Sequence, residues 1–203
     1  MSEWTVGPAG RETGGLGELL GRSFCDNPGM RATLGDDRPR RLGRAIRLMR
    51  GLTATAARCG RVEVVRAGER PVGVSLTYGP GDSPRGLAQV PTILGALSTG
   101  PACVRRLLRL EHFLHANHLR RPHHFLAILG VEPEMQGKKV GSALLRSLAA
   151  RADADGLPCY LETDQEKNVR IYERHGFRVT SEHVLTELAG VRFWLMLRPA
   201  TRR

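Results

Sequence analysis

Aromatic residues are scarce, at 5% of the 203 positions, and lysine occurs only at 138, 139 and 167. Cysteine appears four times, as Cys25, Cys59, Cys103 and Cys159, widely spaced and with no CxxC pair. A reduced, cytoplasmic protein is the simplest account of that usage. No apolar stretch is long enough to span a bilayer, and the opening MSEWTVGPAGRETGG does not read as a signal peptide, so no membrane partner is expected. Internal repeats and low-complexity segments are absent. So are the GxxxxGK[ST] and GxGxxG patterns, which excludes a Walker A loop and a dinucleotide fingerprint.

What is present in excess is arginine. The formal net charge is +11 and the pI about 10.6, a balance that invites a nucleic-acid reading. The charge is dispersed, apart from Arg38–Arg50, and no helix-turn-helix, zinc-finger or RNP pattern accompanies it. Nucleic acid is therefore not the expected partner. With 41% hydrophobic and 25% charged residues, the composition suits one domain spanning 1–203 with a real core.

The stretch Phe125–Leu145, FLAILGVEPEMQGKKVGSALL, organises the chain. Its apolar run Phe125 to Leu129, followed by Gly130, Val131 and Pro133, predicts a buried strand that ends in a turn. Val140, Leu144, Leu145, Leu148, Ala149 and Ala152 then recur at helical spacing and predict an amphipathic helix. Between them lie Gln136, Gly137, Lys138, Lys139, Val140, Gly141 and Ser142. A helix start carries backbone N–H groups without partners and a partial positive charge, and glycines let that backbone approach an anion. Strand, glycine-containing turn and helix together can cradle phosphate, or can simply be a basic turn that begins an ordinary helix.

Elsewhere, Trp4–Val6 is a candidate first strand, followed by a Gly-rich passage from 7 to 17. Leu16, Leu19, Leu20 and Phe24 mark a short helix that Asn27-Pro28-Gly29 is expected to stop. Arg38–Arg58 reads as a second helix, with its arginines on a solvated face. Val62–Val65 and Val72–Tyr78 form a hairpin, and Gly79–Pro84 is a loop. Two helices follow at Val90–Thr99 and Ala102–His118. The latter carries Glu111, His112, His115 and His118; without an HExxH pattern or a cysteine pair, lining a pocket suits them better than holding a metal. Cys159–Thr163 is a strand with Tyr160 and Glu162 on one side. A short helix runs from Asn168 to His175, ended by Gly176, and Phe177–Val179, Thr186–Leu188 and Val191–Leu197 complete a sheet. The order implies α/β (α+β) architecture.

The segment V-x-P-x-x-Q-G-x-x-V-G resembles motif A of the Gcn5-related N-acetyltransferases (GNAT), in which [Q/R]-x-x-G-x-[G/A] binds the pyrophosphate of acetyl-CoA. Here it runs from Gln136 to Gly141, with Lys139 in place of the first motif glycine. Leu161-Glu162-Thr163, Asn168 and Tyr172-Glu173-Arg174-His175-Gly176-Phe177 are similar to motif B. There the asparagine helps to hold the cofactor and the tyrosine protonates the leaving thiolate. Residues 124–196 look like puromycin N-acetyltransferases and their relatives, which share GVxPxxQGK, LET, YERxGF and a late W-x-M; Phe24–Pro28 extends a weaker likeness toward the N-terminus. The resemblance implies a largely antiparallel central sheet flanked by helices, a core at 123–198 and acceptor-side helices within 1–122. It also implies acetyl-CoA as cosubstrate without a metal, and a small-molecule amine as acceptor.

The chemistry needs three groups. Backbone N–H groups of Leu129, Gly130 and Val131 can polarise the acetyl carbonyl. Tyr172 can act as acid, since a phenol near pKa ~10 is protonated at neutral pH. Glu162 is the first candidate for relieving the acceptor amine of its proton. Acetylation of protein N-termini or lysines is the alternative within enzymes. A non-catalytic CoA-binding or nucleic-acid-binding module is the alternative outside them.

Overall fold

Among the described residues seven strands build one sheet: β1 (Val6–Pro8), β2 (Arg61–Ala67), β3 (Arg70–Tyr78), β4 (His124–Val131), β5 (Cys159–Thr163), β6 (Arg178–Leu185) and β7 (Val191–Arg198). Their spatial order is β1-β2-β3-β4-β5-β7-β6, and every neighbouring pair is antiparallel except β4 with β5. The computed structural model describes residues 4–10, 13–82 and 84–201. Parts of the opening segment, of the Gly-rich passage (11 and 12) and of the Gly79–Pro84 loop (83) lie outside the described residues. The helices are α1 (Leu16–Phe24), α2 (Pro28–Leu34), α3 (Arg38–Cys59), α4 (Val90–Leu97), α5 (Pro101–Asn117), α6 (Val140–Ala154) and α7 (Glu166–Glu173). The mixed, largely antiparallel sheet flanked by helices is the expected fold.

Strand alternation distributes the core between two faces. Val62, Val64, Val74 and Leu76 face Leu16, Leu19 and Leu20 of α1 and Met49 and Ala56 of α3. Val65 and Val72 face Val140, Ala143 and Leu144 of α6 on the opposite side. Val72 escapes the parity of Val74 because the register slips between Val65 and Arg66, leaving it as an extra residue.

Several boundaries differ from the sequence reading. The first strand is shifted to Val6–Pro8, and Thr186–Leu188 is a 3-10 turn rather than a strand, while β6 continues to Leu185. Asn27-Pro28-Gly29 does not merely stop a helix; it starts one. Pro28 is the first residue of α2, where its missing N–H costs nothing and its fixed φ suits the helix. The arginine face of α3 is not wholly solvated either. Arg41 is buried, and its guanidinium donates to the carbonyls of Cys25, Gly35 and Asp36 and to Asp26 Oδ1.

Candidate active site

β4 and β5 part company. Their parallel pairing runs from His124↔Cys159 to Leu126↔Leu161 and ends there, although β4 continues to Val131 and β5 to Thr163. The register between β3 and β4 skips Ala127 at the same level, so a bulge accompanies the separation. The result is a wedge between two strand arms, with backbone groups on its inner edges that no neighbouring strand satisfies. A linear polar chain can enter such a wedge as a short extra strand. Of the predicted oxyanion donors, Val131 N–H is engaged by Ser23 Oγ of α1 at 3.2 Å. Gly130 lets α1 lie against the strand, since a Cβ there would meet Leu20 Cδ2 at 2.5 Å.

At the open end of β4 the chain makes a 3-10 turn, Pro133–Met135, and then enters α6. Val140, Gly141 and Ser142 have N–H groups with no backbone acceptor among the described residues, the ordinary condition of a first helical turn. Lys138 and Lys139 are exposed beside them. Gly141 sits close to β4, with Leu129 Cδ2 3.3 Å from where its Cβ would be. Lys139 has φ 63° and ψ 11°, a left-handed conformation that suits glycine and costs an L side chain about 1–2 kcal/mol. The Ser142 hydroxyl lies 3.0 Å from His175 Nε2, which ties the turn to the second residue past the end of α7. Burial, together with Arg146 and Arg174, pushes the His175 pKa down, so the neutral imidazole is favoured near neutral pH.

The second arm carries the titratable groups. Tyr160 and Glu162 project to one side of β5, and Cys159 and Leu161 join the core on the other. The Tyr160 hydroxyl donates to Glu162 Oε1 at 2.9 Å, and His118 Nδ1 lies 3.4 Å from the same oxygen. The His118 ring, just beyond the end of α5, packs edge-on against Phe125 and Tyr160. Burial, and then the Glu162 carboxylate, drive the Tyr160 phenol well above its ordinary range. Glu111, His112 and His115 are exposed, and among the described residues no three His, Cys, Asp or Glu side chains converge on a metal site.

On the α6 side of the sheet, α7 presents Asn168 and Tyr172 one helical turn apart. Tyr172 is buried, with its ring edge-on to Phe177, and its hydroxyl makes no hydrogen bond among the described residues. Burial pushes its pKa up, and the Asp164 carboxylate adds to the shift. Asp164 in turn accepts from Gly29 N at 2.6 Å, so the end of β5 caps the first turn of α2.

Residues 106–179 match the family model of the acetyltransferase (GNAT) domain, a span holding the wedge, the glycine turn and α7. Over those residues the chain carries a GNAT acetyltransferase domain. That domain makes the protein an N-acetyltransferase, and members of its family take acetyl-CoA as cosubstrate. Over its whole length the fold is similar to a structure described as histone acetyltransferase HPA2 and related acetyltransferase from Corynebacterium glutamicum. That likeness has 23% identity and a TM-score of 0.71, covering 100% of this chain and 99% of the other. It is similar also to the ribosomal-protein-S18-alanine N-acetyltransferase of Escherichia coli, at 11% identity, TM-score 0.58 and coverage of 99% and 96%. A third similar structure is the C-terminal condensation domain of Ebony in complex with beta-alanyl-dopamine, at 10% identity, TM-score 0.65 and coverage of 98% and 100%.

The predicted site residues fall into four places. Gln136 to Ser142 form the turn into α6, Leu129 to Val131 form one arm of the wedge, and Glu162 lies on the other arm. Asn168 and Tyr172 stand on α7. Sequence reasoning missed Ser23 and Asp164, whose partners lie more than 100 residues away along the chain. The Tyr160–Glu162 pair was legible in strand alternation, whereas the approach of His118 was not. The lysine in the turn leads to a direct expectation. Lys139→Gly should raise unfolding stability by about 1 kcal/mol by removing the left-handed strain. It should also weaken acetyl-CoA binding a few-fold and flatten its salt dependence, because an exposed cation is lost. Denaturant titration and calorimetry at two ionic strengths check both effects; tighter binding would mean that the strained turn, not its charge, limits affinity.

Proposed function

We propose that this single domain, residues 1–203, transfers the acetyl group of acetyl-CoA directly to the amine of a small molecule in the cytoplasm. In this reading 123–198 form the cofactor core and 1–122 supply the acceptor-side helices. The observation that carries it is the wedge with Tyr172 on one side of the sheet and the Tyr160–Glu162–His118 cluster on the other. Acetyl-CoA lies along the gap with its phosphates at Gln136 to Ser142 and near Asn168. The free N–H groups of the first α6 turn face the phosphates, and backbone donors among Leu129 to Val131 receive the developing oxyanion. Tyr172 protonates the departing thiolate. An alkyl amine, with a pKa of about 10.4, is almost wholly protonated at pH 7, so Glu162 receives its excess proton, with His118 and Tyr160 fixing the carboxylate.

A small acceptor is favoured over a peptide because helices roof the Glu162 side. There α5 packs over the β5–β7 face with Phe113 against Phe193, and α2 is fastened to the end of β5 through Gly29 and Asp164. A peptide would need an open groove. Thiol release from acetyl-CoA, screened over small amines and over short peptides with free N-termini, tests this. Small amines should turn over faster. Glu162→Gln should lower kcat/KM by about 10–100-fold at neutral pH, with the deficit shrinking as pH rises and more of the amine is already neutral. Preferential turnover of peptides would assign the acceptor to the protein class. A pH-independent deficit would remove Glu162 from the proton path.

A further inference from the structure

Helix α4 is built inside out. Its contact with α3 is made by small residues: a Cβ on Gly95 would stand 2.8 Å from the Arg47 carbonyl oxygen, and the Thr92 and Thr55 hydroxyls are 2.8 Å apart. The large side chains face away. Among the described residues nine large apolar side chains are exposed, and six of them, Leu87, Val90, Ile93, Leu94, Leu97 and Leu108, belong to α4, the 3-10 turn before it and the adjoining α5. Their exposure runs from 39% at Val90 to 85% at Leu87. Burial in a monomer would favour the opposite orientation, so this face calls for a cover.

The charge around it identifies the cover. Residues 85–110 contain four arginines and no aspartate or glutamate. Arg85, Arg105 and Arg109 are exposed. An isologous contact with a second copy would bring these positive flanks together. A protein partner of ordinary kind would be met by aromatic anchors, and the face is entirely aliphatic. A bilayer surface rich in anionic headgroups satisfies both features: the aliphatic side chains enter the acyl boundary and the guanidiniums meet the phosphates. We propose that the α4 face seats the enzyme on an anionic lipid surface, without spanning it. The expectation of no membrane partner rested on the absence of a spanning stretch, and surface seating requires none. No helix among the described residues is long and apolar enough to cross a membrane.

Co-sedimentation of the full chain with phosphatidylcholine vesicles, alone or mixed with phosphatidylglycerol, tests the proposal. Binding is expected only with the anionic mixture and should weaken with salt. The exposed double substitution L94E/L97E should lower it about tenfold, while acetyl-CoA binding, which reports an intact fold, is unchanged. Absence of binding to anionic vesicles overturns the proposal, as does equal binding by the variant. A wild-type dimer that L94E/L97E dissociates in sedimentation equilibrium also overturns it and gives the face to a second copy.

Discussion

Replacing Tyr172 with phenylalanine is expected to lower kcat about a hundredfold while changing acetyl-CoA affinity less than about twofold. The phenol is buried on α7 beside the wedge, and its hydroxyl has no hydrogen-bond partner among the described residues. Removing that hydroxyl therefore breaks nothing in the folded enzyme, and the ring can keep its edge-on contact with Phe177. Stability should stay within about 0.5 kcal/mol of the parent, which separates a chemical from a structural defect. The magnitude follows from the proton balance. In the proposed mechanism attack by the amine expels CoA as a thiolate, and a positioned acid typically contributes about 10²–10⁴-fold. Burial and the Asp164 charge push the Tyr172 pKa up. The phenol thus keeps its proton through the neutral range but yields it less readily, which places the effect at the lower end. For the same reason the alkaline limb of the rate profile should not report Tyr172 near neutrality. Steady-state kinetics and calorimetry on the two proteins decide the matter. Undiminished turnover in Tyr172→Phe would take the acid role away from it.

Arg41→Met is expected to have the largest effect on stability, a loss of about 3–4 kcal/mol in denaturant unfolding. Arg41 is 4% exposed, and its guanidinium donates to Cys25 O at 2.7 Å, Gly35 O at 2.9 Å, Asp36 O at 2.7 Å and Asp26 Oδ1 at 2.8 Å. Cys25 follows the end of α1 and Gly35 the end of α2, so one buried cation serves the carbonyl ends of two helices. Methionine fills much of the volume but leaves those acceptors unsatisfied. Asp26 is more exposed, and Arg41 with Arg38 holds its carboxyl below the usual range. Asp26→Asn should cost only about 1 kcal/mol, since the other three bonds survive. Because α2 also delivers Gly29 to Asp164, loosening it should raise the KM for the acceptor before it alters acetyl-CoA binding. An Arg41→Met protein within about 1 kcal/mol of the parent would mean that water replaces the guanidinium without strain.

The sequence by itself determined most of the scaffold, including the elements that carry the proposed cofactor side of the site. These features are local in the chain: Phe125–Val131 as a buried strand, Gln136–Ser142 as the turn into a helix, and Asn168 with Tyr172 on the next one. Hydrophobic period and turn residues report such neighbours directly. The unusual backbone of Lys139 was foreshadowed by a lysine standing where the motif has glycine. Tertiary structure decided what depends on distant partners. Asn27-Pro28-Gly29 looked like a helix stop and proved to start α2 at a junction held by Arg41, because a guanidinium seeking carbonyls leaves no mark in the periodicity of its own helix. Strand pairing, not composition, opened the wedge after Leu126 and Leu161. Packing brought His118 to Glu162 across 44 residues and Gly29 to Asp164 across 135. The outward face of α4 was likewise invisible in its pattern, since an apolar stripe at helical spacing reads the same whether it faces a core or the solvent. Only the small residues that fasten α4 to α3 settled which way it points.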